Sequence, residues 1–160
     1  MRDRAFADTN IMLYAFSSSD TEKVLFARKV LDEFTIVVST QVLREFANVA
    51  VRKLGVPAEN VEKQINHIAE SATVVGENLQ SILSGLEIFR TYGLNFYDSL
   101  IVASALGAGC GILLSEDMQH GQRIAKTLTI VNPFLAYSWG SLYKPVNARS
   151  EATKLLENSY

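Results

Sequence analysis

The sequence predicts an α/β fold, a parallel central sheet sandwiched by helices, and two observations carry that prediction. Short apolar, β-branched runs alternate along the chain with longer segments whose apolar residues recur at helical spacing. That alternation calls for parallel strands joined by right-handed helical crossovers, with helices on both faces. The size agrees, because 160 residues with 48% hydrophobic and 20% charged side chains suffice for one core and exclude global disorder.

Residues 4 to 7 form the first strand, ending at Asp8, and Thr9-Asn10 supply capping chemistry for a helix over 11–16. Asp20 or Thr21 caps a second helix, in which Val24, Leu25, Ala27, Val30, Leu31 and Phe34 share helical spacing. Thr35-Ile36-Val37-Val38-Ser39 reads as a strand buried on both faces. Thr40 opens a helix to about Leu54 that stops at Gly55, and Pro57 suits the first turn of the next. Thr73-Val74-Val75 is a short strand, followed by a helix from about Asn78 to Tyr92 that Gly93 ends. The almost continuous apolar run from Tyr97 to Ala108 predicts a central helix, with Gly107-Ala108-Gly109-Cys110-Gly111 as its termination. Ile112-Leu113-Leu114 follows as a core strand and 127–131 as the last strand. After Asn132-Pro133 the periodicity is lost. Tyr137, Trp139 and Tyr143 follow no period, Glu151 to Glu157 suffice for one helix, and the expected division is a domain over 1–134 and a C-terminal extension over 135–160.

A formal net charge of -2 excludes a protein that coats nucleic acid through bulk positive charge, so any such contact is local. The single Cys110 forms no internal disulfide and reads as a buried or linker thiol, which points to a reducing cytoplasm. The apolar stretch after Met1 is too short for a signal peptide, and no run approaches the roughly 18 apolar residues of a membrane span.

In an open parallel sheet, functional groups gather beyond the carboxyl ends of the strands. Three aspartates are expected there: Asp8 after the first strand, Asp117 after Ile112-Leu113-Leu114, and Asp98 in the first turn of the apolar helix. Each alone also fits a helix cap or a first-turn anion. Together they would repel one another and raise each other's pKa unless a cation were present. Hard oxygen donors without Cys or His suit Mg²⁺ or Mn²⁺ and phosphoryl or phosphodiester chemistry. Glu45 lies at a helix face boundary, solvated or reaching the sheet edge, and Asn10 and Ser115 fit ligand support or plain capping. His67 reads as a helix-surface residue, while His120 stays open between structure and substrate contact. Arg44, Arg52, Lys53, Arg123 and Lys126 are candidates for a phosphate-binding rim or ordinary solvated charges.

Asp8-Thr9-Asn10, Glu45, Tyr97-Asp98-Ser99-Leu100-Ile101-Val102-Ala103 and Ser115-Glu116-Asp117-Met118-Gln119-His120-Gly121 together resemble the PIN domain family, and within it the VapC-type toxins. The resemblance covers about residues 4 to 134. It implies a PIN-like α/β/α sandwich and a metal-dependent endoribonuclease, a homodimer held inactive by a cognate antitoxin. It makes Asp8, Glu45, Asp98 and Asp117 the catalytic, metal-binding quartet around Mg²⁺ or Mn²⁺, with Asn10 and Ser115 supporting. Of the adjacent Glu116 and Asp117, at most one faces the ion, and Asp117 matches the family position. Amphipathic segments from Val24 to Phe34 and from Leu79 to Phe89 add an apolar surface that suits a homodimer. Two other readings compete: an inactive PIN-like module that binds RNA or protein, and aspartyl-phosphate transfer at Asp8. The second would want an acid at position 10 and a nearby lysine, and the sequence has Asn10 and no obvious lysine.

Overall fold

In the computed structural model, which describes residues 2–135, strands and helices follow one another nearly as the sequence predicts. The chain runs β1 (Arg4–Ala7), α1 (Thr9–Ala15), α2 (Glu22–Glu33), β2 (Thr35–Ser39), α3 (Thr40–Arg52), α4 (Ala58–Ser71) and β3 (Thr73–Val75). It continues with α5 (Leu79–Tyr92), α6 (Phe96–Gly107), β4 (Ile112–Leu114), β5 (Arg123–Ile124) and β6 (Leu128–Val131). Tyr137, Trp139, Tyr143 and the helix expected over 151–157 lie outside the described residues.

The six strands form one sheet in the order β3-β2-β1-β4-β6-β5, parallel throughout except for the antiparallel edge strand β5. The all-parallel expectation is corrected at that edge. Two residues are too few to show a period of two, and the turn after them carries Ala125 and Lys126 at positive φ (48° and 62°) where sequence reasoning looks for Gly or Asn. Ala125 N–H donates to the Tyr92 hydroxyl at 2.9 Å, which ties this turn to the end of α5.

Strand order reverses at β1: β2 and β3 lie to one side of it, β4 and β6 to the other. Such a reversal opens a crevice at the carboxyl ends of the two strands that flank it. Asp8 N–H donates to the Leu114 carbonyl at 2.9 Å, so the chain leaves β1 tied to the end of β4. Ala5, Phe6, Ala7, Leu113 and Leu114 are completely inaccessible, as central strands covered on both faces must be.

Two helix starts differ from the sequence reading. Asp8 itself caps α1, its carboxylate accepting from Thr9 N–H, in place of Thr9-Asn10. Helix α6 begins at Phe96 under an Asn95 cap, one residue earlier than expected, so Asp98 stands in the first turn and is not the cap. Helix α6 is central, burying Leu100, Ile101, Val102, Ala103 and Ala105. Helix α5 packs on it so closely that a Cβ at Gly85 would lie 2.6 Å from Leu100 Cδ2 and 3.4 Å from Leu100 Cα.

The two amphipathic helices part company. Helix α2 buries Val24, Ala27 and Val30 in the core. Helix α5 buries Gly85 and Ile88 but leaves Leu79, Ile82, Leu83, Leu86 and Phe89 exposed. Among the described residues, no helix is long and apolar enough to cross a membrane.

Candidate functional site

Four acids reach one cavity of about 210 Å³ from four different elements. Asp8 arrives at the end of β1, Glu45 from α3, Asp98 from the first turn of α6 and Asp117 from the loop after β4. Asn10, Thr9 and Gln41 line the same space.

Each carboxylate is held by neutral donors. Asp8 accepts from Thr9 N–H at 2.7 Å and from the buried Ser115 hydroxyl at 2.9 Å. Glu45 accepts from the Thr9 hydroxyl at 2.8 Å on Oε2 and from the Gln41 amide at 3.0 Å on Oε1. Asp98 accepts from the Asn95 side chain, whose oxygen in turn accepts from Asp98 N–H at 2.9 Å. Asp117 accepts from the Asn10 amide. The ion pairs among the described residues lie elsewhere: Lys23 with Glu116, Arg28 with Asp20 and Arg44 with Glu77.

Burial first, and then the crowding of negative charge, raises two of these carboxyls. Burial pushes the Asp8 carboxyl up to about 6, against the pull of the Thr9 and Ser115 hydrogen bonds and with repulsion from Asp98 and Glu45. Asp98 is raised by burial and by the charges of Asp117 and Glu45, opposed by Asn95. A cavity that raises Asp8 and Asp98 favours protons or an added cation there. The donor set is hard oxygen only, the chemistry of Mg²⁺ and Mn²⁺. Among the described residues, no three His, Cys, Asp or Glu are gathered closely enough to hold a metal ion by themselves.

Of the sequence candidates, Asp8, Asn10, Glu45, Asp98 and Asp117 come together at the cavity, with Ser115 immediately behind Asp8. Glu116 turns to Lys23, whose ammonium lies 4.5 Å from the Tyr14 ring centre and 4.7 Å from that of Phe134. His120 takes a structural role through Nδ1, which accepts from Asn132 N–H at 3.0 Å. His67 is exposed on α4, edge-on to Phe16. The basic rim does not gather: none of its five candidates lines the cavity, Arg44 pairs with Glu77, and Arg123 donates to the Lys126 carbonyl. Cys110 is buried, and burial pushes its thiol up.

Sequence reasoning missed Thr9, Gln41 and Asn95. Thr9 reads only as a capping residue, Asn95 falls outside the helix expected from Tyr97, and nothing in the sequence marks Gln41 beyond its place one helical turn before Glu45.

The family model described as PIN domain matches residues 5–125. Among solved structures, a toxin-antitoxin complex from Klebsiella pneumoniae is 18% identical, with 81% of this chain and 98% of that chain covered and a TM-score of 0.62. The Mycobacterium tuberculosis VapC20, a sarcin-ricin loop cleaving toxin, is 15% identical with 71% and 91% covered and a TM-score of 0.58. VapBC2 from Rickettsia felis, bound to a promoter DNA fragment, is 19% identical with 79% and 98% covered and a TM-score of 0.56. At these identities the likeness is one of fold. No curated protein is a significant match to the sequence.

Proposed function

The chain belongs to the PIN domain family, and from that premise we propose that it is a metal-dependent endoribonuclease, the toxin of a toxin-antitoxin pair. One observation carries the reading: four carboxylates from four elements converge on one cavity, and among the described residues their hydrogen-bond partners are neutral.

In this reading Asp8, Glu45, Asp98 and Asp117 hold Mg²⁺ or Mn²⁺ as the catalytic quartet, with Asn10 and Ser115 supporting. A bound divalent ion supplies an activated water at neutral pH and offsets charge building on the scissile phosphate. The chain's part is to keep acceptors aimed inward. Ser115 and Thr9 N–H hold both oxygens of Asp8, and Asn10 and Asn95 restrain Asp117 and Asp98. The RNA class follows from the resemblance and from VapC20 being a toxin that cleaves the sarcin-ricin loop. Aspartyl-phosphate transfer is less well supported, since no lysine lines the cavity among the described residues.

The cognate antitoxin is proposed because the Klebsiella pneumoniae structure is a toxin-antitoxin complex. We place the homodimer contact on the exposed α5 face, the apolar segment that the core leaves uncovered. The nuclease domain is taken as 1–134, with 135–160 as an extension, working in the cytoplasm.

Purified protein is incubated with a panel of oligoribonucleotides in Mg²⁺ or Mn²⁺, with and without chelator. Cleavage that chelator stops is expected. Cleavage that survives chelator overturns the metal mechanism, and neither cleavage nor Mn²⁺ binding leaves the inactive binding module in its place. A short DNA-binding protein encoded in an adjacent, overlapping frame is expected for a toxin.

A further inference from the structure

Gln41 is 3% exposed, one turn before Glu45 on α3, and lines the acidic cavity. Its side-chain nitrogen donates to Glu45 Oε1 at 3.0 Å and to the Tyr97 carbonyl at 3.2 Å. Both neighbours are pure acceptors, so chemistry settles which end of the amide faces them: only the NH₂ end serves a carboxylate and a carbonyl at once. Both of its hydrogens are thereby used. Its Oε1 is buried and, among the described residues, has no hydrogen-bond partner.

Tyr97 precedes Asp98 in the first turn of α6. The amide therefore bridges the helix that carries Glu45 and the turn that carries Asp98, two acids whose charges oppose each other. Thr9 holds the other oxygen of Glu45, so the carboxylate is fixed at both ends by uncharged donors.

We propose that Gln41 is a positioning residue of this site, a neutral clamp that sets Glu45 against the first turn of α6 so that both helices present their carboxylates to one cation. The proposal rests on the metal-dependent reading above.

The test is a double-mutant cycle read by calorimetric titration of the full chain with Mn²⁺ alone, without RNA. Gln41→Met keeps the length and removes both donors. It is expected to weaken Mn²⁺ binding about tenfold, to lower kcat by a larger factor, and to leave KM for an oligoribonucleotide within about threefold. In a Glu45→Gln background the same change is expected to weaken Mn²⁺ binding less than twofold, because the clamp has lost the group it acts through. Equal losses in both backgrounds, or none in either, overturn the proposal while the nuclease reading stands. If wild type binds no Mn²⁺, both fall. If Gln41→Met does not fold, Gln41→Leu is carried through the same cycle with the same expectations.

Discussion

At Asp8, burial works against ionisation of the carboxyl. Its folded-state pKa of about 6 exceeds the ordinary 3.8, so between those values the folded protein holds a proton that the unfolded chain has released. Stability in chelator therefore falls as pH rises across that window and levels off above it. The full difference is about 3 kcal/mol, from roughly 1.4 kcal/mol per pKa unit. Asp8→Asn keeps an oxygen for the Thr9 cap, and it is expected to stabilise the metal-free protein by about 1–3 kcal/mol near pH 7 and not at all near pH 4. Urea melts of both proteins across that range check this, and a difference that ignores pH would contradict it. Asp98→Asn separates a ligand from a first-turn anion. As a ligand, the variant is expected to melt no lower than wild type in chelator and to lose most of the Mn²⁺-induced shift. As a helix-start anion alone, it would cost about 0.3–1 kcal/mol and respond to Mn²⁺ as wild type does.

At the scale of elements, the site depends on where α6 is held, and α5 holds it. Gly85 permits the approach, since a methyl group there would press on Leu100 from 2.6 Å and meet its backbone at 3.4 Å. Gly85→Ala is expected to lower stability by about 1–3 kcal/mol through overpacking, despite the better helix propensity of alanine. It should also weaken Mn²⁺ binding, because Leu100 lies two residues from Asp98; a variant as stable as wild type would show that α5 can slide. Local rules foretold most element limits, including Gly93 closing α5 at φ 67°, and narrowed the α2 cap to Asp20 or Thr21, of which Thr21 is the cap. They misassigned the α1 cap because Asp8, Thr9 and Asn10 are all competent caps and only the path out of β1 selects among them. They missed β5 because its pairing depends on β6 and not on a pattern of its own.

For the whole molecule, the apolar face of α5 and the anionic cavity stand out against a nearly neutral chain of net charge -2. A row formed by Leu79, Ile82, Leu83, Leu86 and Phe89 exceeds the scattered apolar exposure of an ordinary monomer surface. The wild-type protein is expected to scatter light as a dimer at micromolar concentration, and Leu83→Glu with Leu86→Glu as a monomer of unchanged far-ultraviolet circular dichroism. A monomeric wild type would assign that face another role.

By itself the sequence determined the alternation of strands and helices, the burial of the central strands and the identity of the acids. Apolar periodicity and the residue that follows a strand are local properties, legible within about a dozen positions. Only the tertiary structure decided which acids meet and what holds them. Asn10 reaches Asp117 and Ser115 reaches Asp8 across 107 residues, Thr9 reaches Glu45 across 36, and Gln41 reaches Tyr97 across 56. Those contacts exist because the sheet order sets β1 beside β4 and brings α3 to the first turn of α6. A hydrogen bond between distant residues leaves no period in either segment, so the neutral donors around the acids became visible only when the strands were in place.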